Sequence, residues 1–385
     1  MEQAIKPPKP VKAESETERP PRGPLDVPFA AFVIMLTIIG VIMMFSASYV
    51  RAQQKYDMST YWFIRQAGFA LAGIAIMFVV SLMDYQYFRA LSLPVMLAAL
   101  IFMVMVPFVG LKEGDAIRWI NLGPFSFQPS EIAKLGVIML FATLISQFKD
   151  KMRTFKYGVL PFISILVLLT FLLYLEKHYS ATIIILVLGA ALMFVGGTHW
   201  GWFAGVFAAG AAGIWYMITQ TEYAATRIDI WLDPFKDPKG DGFQAIQSLY
   251  ALGSGGLFGV GLGKSRQKQL YLPEEHNDFV FAIVGEELGF VGACIIMLLY
   301  MALILRGYWV AIHARDRFGS LLATGATTLL AVQVFLNIGV VSTLLPTTGI
   351  TLPFFSYGGT SLIIQLAQMG VVLSVSRHMP APKTG

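Results

Sequence analysis

About ten apolar runs, each near the ~20 helical residues that a bilayer's hydrocarbon core requires, follow one another along this chain. They lie at 28–49, 63–82, 92–110, 130–148, 157–175, 180–196, 201–219, 279–305, 319–343 and 358–376. Hydrocarbon offers no water to backbone N–H and C=O groups, so such runs must satisfy them internally as helices. Hydrophobic residues make up 56% of the sequence and charged residues 13%, with a mean hydropathy of +0.66, outside the range of a soluble domain of this size. The expected fold class is an all-α integral membrane protein of about ten transmembrane helices.

The flanks and charges orient those helices. Residues 1–27 are rich in Pro, Lys, Glu and Ser and predict a disordered cytoplasmic tail; 28–376 form the transmembrane domain, and 377–385 a short second tail. The first run is too long and begins too far in for a signal peptide, so it reads as an uncleaved span. An even helix count returns both termini to one side. Basic residues mark that side as cytoplasmic: Lys149, Lys151, Arg153 and Lys156 after the fourth run, Arg306, Arg315 and Arg317 after the eighth, and the N-terminal Lys and Arg residues. The opposite face then receives the loop at 220–276, with those at 112–129 and 342–357. Cys294 is the only cysteine, so no intramolecular disulfide holds the long loop.

Ionisable residues enter the eighth run directly, in Leu272-Pro-Glu-Glu-His276-Asn-Asp278-Phe and Gly285-Glu286-Glu287-Leu-Gly289. A charge at the bilayer centre costs at least about 2.5 kcal/mol, so these groups should face protein or a wet cavity. At 100° per residue Glu286 lies about 80° from Asp278, while Glu287 is on the opposite face and deeper. Both read as structural partners of neighbouring helices, with Gly285, Gly289 and Gly292 permitting close packing. His276 either assists Asp278 or is a solvated loop histidine.

The long loop carries Gly253 to Lys268, where six glycines precede Lys264, Arg266 and Lys268. Gly263-Lys264-Ser265 is not a P-loop, because Phe258 stands where the motif needs its first glycine. Two readings stay open: a flexible loop with solvated charges, or an N–H-rich basic surface for a phosphate or pyrophosphate. Before the fourth run, Pro129-Ser130 predicts a helix start, and Glu131 with Lys134 a pair on one helix face, either structural or in contact with substrate. Arg118 beside Trp119 could hold an anionic headgroup.

Four motifs in order, Gln128-Pro-Ser-Glu131 with Lys134, Gly253–Lys268, Leu272–Gly289, and Leu345-Pro-Thr-Thr-Gly-Ile-Thr-Leu-Pro353-Phe-Phe-Ser356-Tyr-Gly-Gly359, closely resemble the SEDS family of shape, elongation, division and sporulation proteins. The resemblance covers about residues 25–378. The Ser46-Ala-Ser end of the first run and Pro353-Phe-Phe-Ser are nearer the FtsW and SpoVE branch than the RodA branch. It implies a peptidoglycan glycosyltransferase in the bacterial cytoplasmic membrane that polymerises lipid II at the outer face, partnered by a class B penicillin-binding protein. The family's essential acid matches Asp278. Two departures stand out: Glu176-Lys-His178-Tyr-Ser180 replaces a Glu-Pro-Asp or Glu-Pro-His turn followed by glycine, and Thr343 replaces a glycine usual in the FtsW branch.

Glycan extension needs a base for the attacking hydroxyl and positive charge for the departing pyrophosphate. Asp278 is the expected base. Arg118, Lys264, Arg266 and Lys268, with Gln244 and Ser254 of the long loop, form the expected substrate-binding set. A divalent cation could assist, although no residues form a recognisable metal cage. Nucleic acid is not an expected partner. A lipid II flippase with the same charged outer cavity is the rival reading, and an inert scaffold a third.

Overall fold

The computed structural model describes residues 23–113, 116–121, 123, 126–205, 229–240 and 242–379. Among them, eight helical stretches are long and apolar enough to cross a membrane, and a ninth, shorter apolar helix spans Tyr179–Val195. The protein is a multi-pass, all-helical membrane protein. Most of the N-terminal tail, the last residues of the C-terminal tail, and most of the expected seventh span at 201–219 lie outside the described residues.

The helices are α1 (Val27–Tyr56), α2 (Tyr61–Leu82), α3 (Tyr87–Val109), α4 (Pro129–Phe148), α5 (Leu160–Leu175), α6 (Tyr179–Val195), α7 (Phe243–Gly255), α8 (Val280–Ile312), α9 (Arg317–Val341) and α10 (Gly359–Ser376). Helices α4, α9 and α10 are the most enclosed of the long helices. Helix α4 packs against α3, α6 and α9, and α2 lies along α10. The bundle's two ends differ chemically. At one end Arg306 pairs with Asp26 at 2.9 Å, Tyr85 and Gln86 donate to Asp316, and Arg317 donates to the Gly196 carbonyl. The other end holds Arg51, Arg118, Gln128, Glu176 and Asp278.

A small antiparallel sheet precedes α4, in the order β1 (Gly110–Glu113), β2 (Ala116–Asn121) and β3 (Ser126–Phe127). Leu111 pairs with Trp119 and Lys112 with Ile117, so Arg118 is the extra residue of a bulge. Bulges re-aim the side chain they carry. Arg118 turns to the α5–α6 connection, where its guanidinium donates to the Lys177 carbonyl at 2.7 Å.

Within the loop at 220–276, residues 243–255 form α7, packed on the start of α8. One expectation needs correction. The eighth span is not a continuous helix, since Gly289 has φ +70° and breaks α8. Carbonyls and N–H groups released at the break are taken up by the preceding loop. Val260 and Gly261 donate to the carbonyls of Glu286 and Glu287, and Phe290 and Val291 donate to those of Gly256 and Leu257, all within 2.9–3.1 Å. Buried backbone groups must find such partners. Gly289 is therefore a conformational requirement rather than a packing notch, and a Cβ there would lie 2.2 Å from the Gly259 nitrogen.

The two sequence departures also acquire a local cause. Lys177 (φ +53°) closes α5 in the left-handed conformation, with the His178 N–H donating to the Leu173 carbonyl at 2.9 Å. Thr343 sits at φ +59°, where a glycine would be unstrained and a β-branched residue is an outlier.

Helices α7 and α8 approach so closely that a Cβ on Gly255 would stand 2.0 Å from the Gly285 carbonyl oxygen, whereas one on Gly253 would meet nothing within 4 Å. Gly255→Ala should lower the melting temperature in detergent by several degrees. Gly253→Ala should leave it unchanged or raise it slightly, since alanine gains about 0.8–1 kcal/mol of helix propensity. Equal melting of the two variants would contradict the close α7–α8 contact.

Candidate active site at the Asp278 end of the bundle

Asp278 ends the turn that leads into α8, and two other segments fix it there. Asn337 of α9, fully buried, donates its amide to the Asp278 carbonyl at 2.8 Å and to the Ile350 carbonyl at 2.6 Å. Ser356 donates to the Asn277 carbonyl at 2.7 Å while accepting from the Leu352 N–H at 2.7 Å. Tyr357 N–H donates to the His276 carbonyl, and Gln66 of α2 donates to the Ser356 carbonyl at 3.0 Å. The stretch 342–358 thus clamps the turn at 274–279. Its Gly349 (φ +69°) approaches the carboxylate so closely that a Cβ would lie 3.3 Å from Asp278 Oδ2.

The Asp278 backbone is held, but its half-buried carboxylate makes no hydrogen bond or ion pair among the described residues. Burial, helped by the negative charge of Glu274 and opposed by Arg118, pushes it up to about 7. A carboxyl poised near neutrality suits proton transfer.

Across from it lies a second polar group. Gln128 contacts the His178 ring at 3.2–3.3 Å, and Lys134 pairs with Glu131 at 2.7 Å with both side chains buried. Ser180 donates to the Thr348 carbonyl, tying the start of α6 to the same stretch that holds Asp278. Glu176 is 1% exposed, neither carboxyl oxygen has a hydrogen-bond partner among the described residues, and burial pushes it up to about 8 against the pull of Arg118. Burial likewise lowers His178, with Arg118 and Lys134 acting in the same direction. Arg118 is thus the charge common to Asp278, Glu176 and His178.

Other sequence-selected residues fall elsewhere. Lys268 is fully buried: its ammonium lies 2.6 Å from Glu287 and 3.2 Å from the Ser46 hydroxyl, so it cannot offer charge to a pyrophosphate. Glu286 and Glu287 are held largely by the loop rather than only by neighbouring helices. Glu286 accepts from Ser265 Oγ and from the N–H groups of Arg266 (2.8 Å) and Gln267 (3.3 Å); Glu287 accepts from Ser46 (2.6 Å) and the Ser265 N–H (3.3 Å). Lys264 and Arg266 keep exposed side chains. Exposed Ser254 donates back to the Ala251 carbonyl of its own helix at 3.1 Å, and Gln244 lines a separate cavity beside Pro273. His276 is not solvated. It is 7% exposed and stacks on Trp62 with ring centroids 4.4 Å apart, and burial lowers it to about 4, leaving a neutral ring at physiological pH. The neighbouring Glu275 carboxylate is gripped by Arg51 through two bonds of 2.6 and 2.7 Å.

Sequence reasoning gave no site role to Asn337, Gln128, Ser356 or Glu176. Asn337 had a usable signal, an amide inside an apolar run, since such groups seek partners. Among the described residues, no cluster of three or more His, Cys, Asp or Glu side chains is placed to hold a metal ion.

Two outcomes test this arrangement. Lys268→Met should cost about 3–5 kcal/mol by leaving Glu287 buried without its counter-charge, and adding Glu287→Gln should recover part of the loss in detergent melting. Glu176 has a folded-state value above its ordinary 4.5, so its stability contribution is present below that pH and is lost as pH rises through about 8. Glu176→Gln should flatten the fall in melting temperature between pH 6 and 9; an unchanged slope would refute the buried neutral acid.

The chain is 41% identical over 355 residues to the stage V sporulation protein E of Bacillus subtilis, covering 92% of this chain and 97% of that protein. It is also 41% identical to a probable peptidoglycan glycosyltransferase FtsW of Geobacter sp. (strain M18), covering 90% and 95%. Among solved structures it superposes on a chain from a study of structural coordination of polymerization and crosslinking by a peptidoglycan synthase complex, with TM-score 0.77, 28% identity, and 92% and 98% coverage. The rod shape determining protein RodA of Thermus thermophilus gives TM-score 0.69 at 27% identity, covering 93% and 98%. The family model FTSW_RODA_SPOVE, described as cell cycle protein, matches residues 27–380, and the chain belongs to that family.

Proposed function

We propose that the protein is a peptidoglycan glycosyltransferase of the bacterial cytoplasmic membrane, polymerising lipid II into glycan strands at the outer face, with Asp278 as general base. The observation that carries the reading is the Asp278 site itself: a carboxylate without a partner, poised near neutral pH, on a backbone locked by Asn337 and the 342–358 stretch. Family membership and the glycosyltransferase names of relatives at about 40% identity support the activity.

In this mechanism the Asp278 carboxylate takes the proton of the attacking sugar hydroxyl as the glycosidic bond forms and the bond to the pyrophosphate breaks. The departing pyrophosphate carries away the electron pair. Arg118, aimed by its bulge and sensed electrostatically at Asp278, stabilises that developing charge. Exposed Lys264 and Arg266 are candidates for an outer approach surface, and the Glu131–Lys134 pair holds the floor of the site. A class B penicillin-binding protein is the proposed partner, supported by likeness to a chain of a complex that couples polymerization and crosslinking. That likeness does not favour the transport alternative.

Purified protein supplied with lipid II in detergent, where no sidedness exists, should yield glycan strands. Asp278→Asn should lower the rate by at least about 10²-fold, the lower end of what general-base catalysis contributes, while expression and melting stay near native. The base must be ionised, so kcat/KM of the native protein should rise about tenfold per pH unit below 7 and level off above it. Full activity of Asp278→Asn would remove the base assignment, and absence of glycan from native protein would remove the polymerase reading.

A further inference from the structure

A cavity of about 290 Å3 lies under the segment 229–240, between α7 and the outer end of α9. Trp231, Phe243, Gln244, Pro273, Thr343 and Thr347 line it. Among the described residues that line it there is no Lys, Arg, Asp or Glu, which weighs against a pyrophosphate; the amide and hydroxyls weigh against a purely apolar lipid tail. What remains is a neutral ligand with both polar edges and apolar faces.

Two features show that the cavity is built rather than incidental. Trp231 donates its indole N–H to the Thr343 carbonyl at 3.0 Å, which fixes the indole at the cavity wall. Gln244, half-buried on the first turn of α7, has an amide with no hydrogen-bond partner among the described residues, so its donor and acceptor are available to a ligand. A fixed aromatic face beside a free amide is a recognition surface for a sugar ring, whose C–H face is apolar and whose acetamido and hydroxyl edges are polar. The volume is near the lower bound of about 300 Å3 for small-molecule sites, suiting about one such ring.

Its walls run to the catalytic acid. Pro273 belongs to the turn that ends at Asp278, and Thr347 is two residues from Gly349, which packs against the Asp278 carboxylate. We propose that this cavity is a saccharide subsite that holds an N-acetylhexosamine ring of the growing glycan next to the bond-forming centre, Trp231 serving as stacking platform and Gln244 as amide reader. The assignment rests on the polymerase reading above. Holding the strand between additions makes the subsite a determinant of strand length.

The test compares full-length native protein, Trp231→Ala, Trp231→Phe and Gln244→Ala on lipid II in detergent, with strand length read at equal substrate consumption. Trp231→Ala should shorten the mean strand several-fold and Gln244→Ala should shorten it less. Trp231→Phe, which keeps an aromatic face while losing the bond to Thr343, should stay closer to native, and melting temperatures separate lost binding from lost folding. As a binding readout independent of turnover, a soluble tetrasaccharide of alternating N-acetylhexosamines should show saturation transfer from native protein and none from Trp231→Ala. Unchanged strand length in Trp231→Ala, or equal saturation transfer, overturns the subsite while leaving the polymerase reading intact. Native protein that makes no glycan overturns the polymerase reading, and the tetrasaccharide measurement then still decides whether the cavity binds sugar.

Discussion

The interruption of α8 at Gly289 is the constraint to which the half of the molecule around Asp278 answers. A broken helix in a membrane protein releases N–H and C=O groups that hydrocarbon cannot satisfy, and here the strand of loop from Gly256 to Gly261 supplies each missing partner in turn. Glu286 and Glu287 sit at the same break, and the next residues of the loop, Ser265 to Lys268, close over them with a hydroxyl, backbone N–H groups and one buried ammonium. Backbone and side-chain needs are met by one continuous stretch. Its many glycines follow from this: Gly255 and Gly259 lie against α8 backbone where no Cβ fits.

That arrangement explains why the glycine-rich loop is a poor anion cradle although it resembles one on paper. The N–H groups expected to face a phosphate point instead at the protein's own carboxylates and carbonyls. The anion-binding logic was sound, and the anions are Glu286 and Glu287. The positive charge felt in common by Asp278, Glu176 and His178 is instead that of Arg118, delivered by a bulge in a small sheet.

Nine of the expected spans, the two chemically distinct ends, the Glu131–Lys134 pair and the entry of Asp278 into its helix were legible because each depends on local pattern: run length, charge sidedness, three-residue spacing. The kink at Gly289 was not, since a glycine that relieves crowding and a glycine that breaks a helix look alike until the neighbouring chain is placed. The burial of Lys268 depends on Ser46 and Glu287, separated in sequence by 241 residues, which no spacing rule reaches. Asn337 and Ser356 were missed for a similar reason, as their task is to hold backbone carbonyls of a distant turn. Thr343 shows the reverse case, in which a departure from the family's usual glycine marks a left-handed backbone position; Lys177, which stands where that turn usually has proline, is left-handed too.

The order of residues along the chain adds a consequence for biogenesis. Ser46, Ser265 and Lys268, which neutralise or bond the paired glutamates, all precede Glu286 and Glu287, as does the loop that caps the broken turn. A ribosome has therefore finished every one of those partners before the two acids emerge. The insertion machinery thus meets this charged segment with its complement already made and tethered on the same polypeptide.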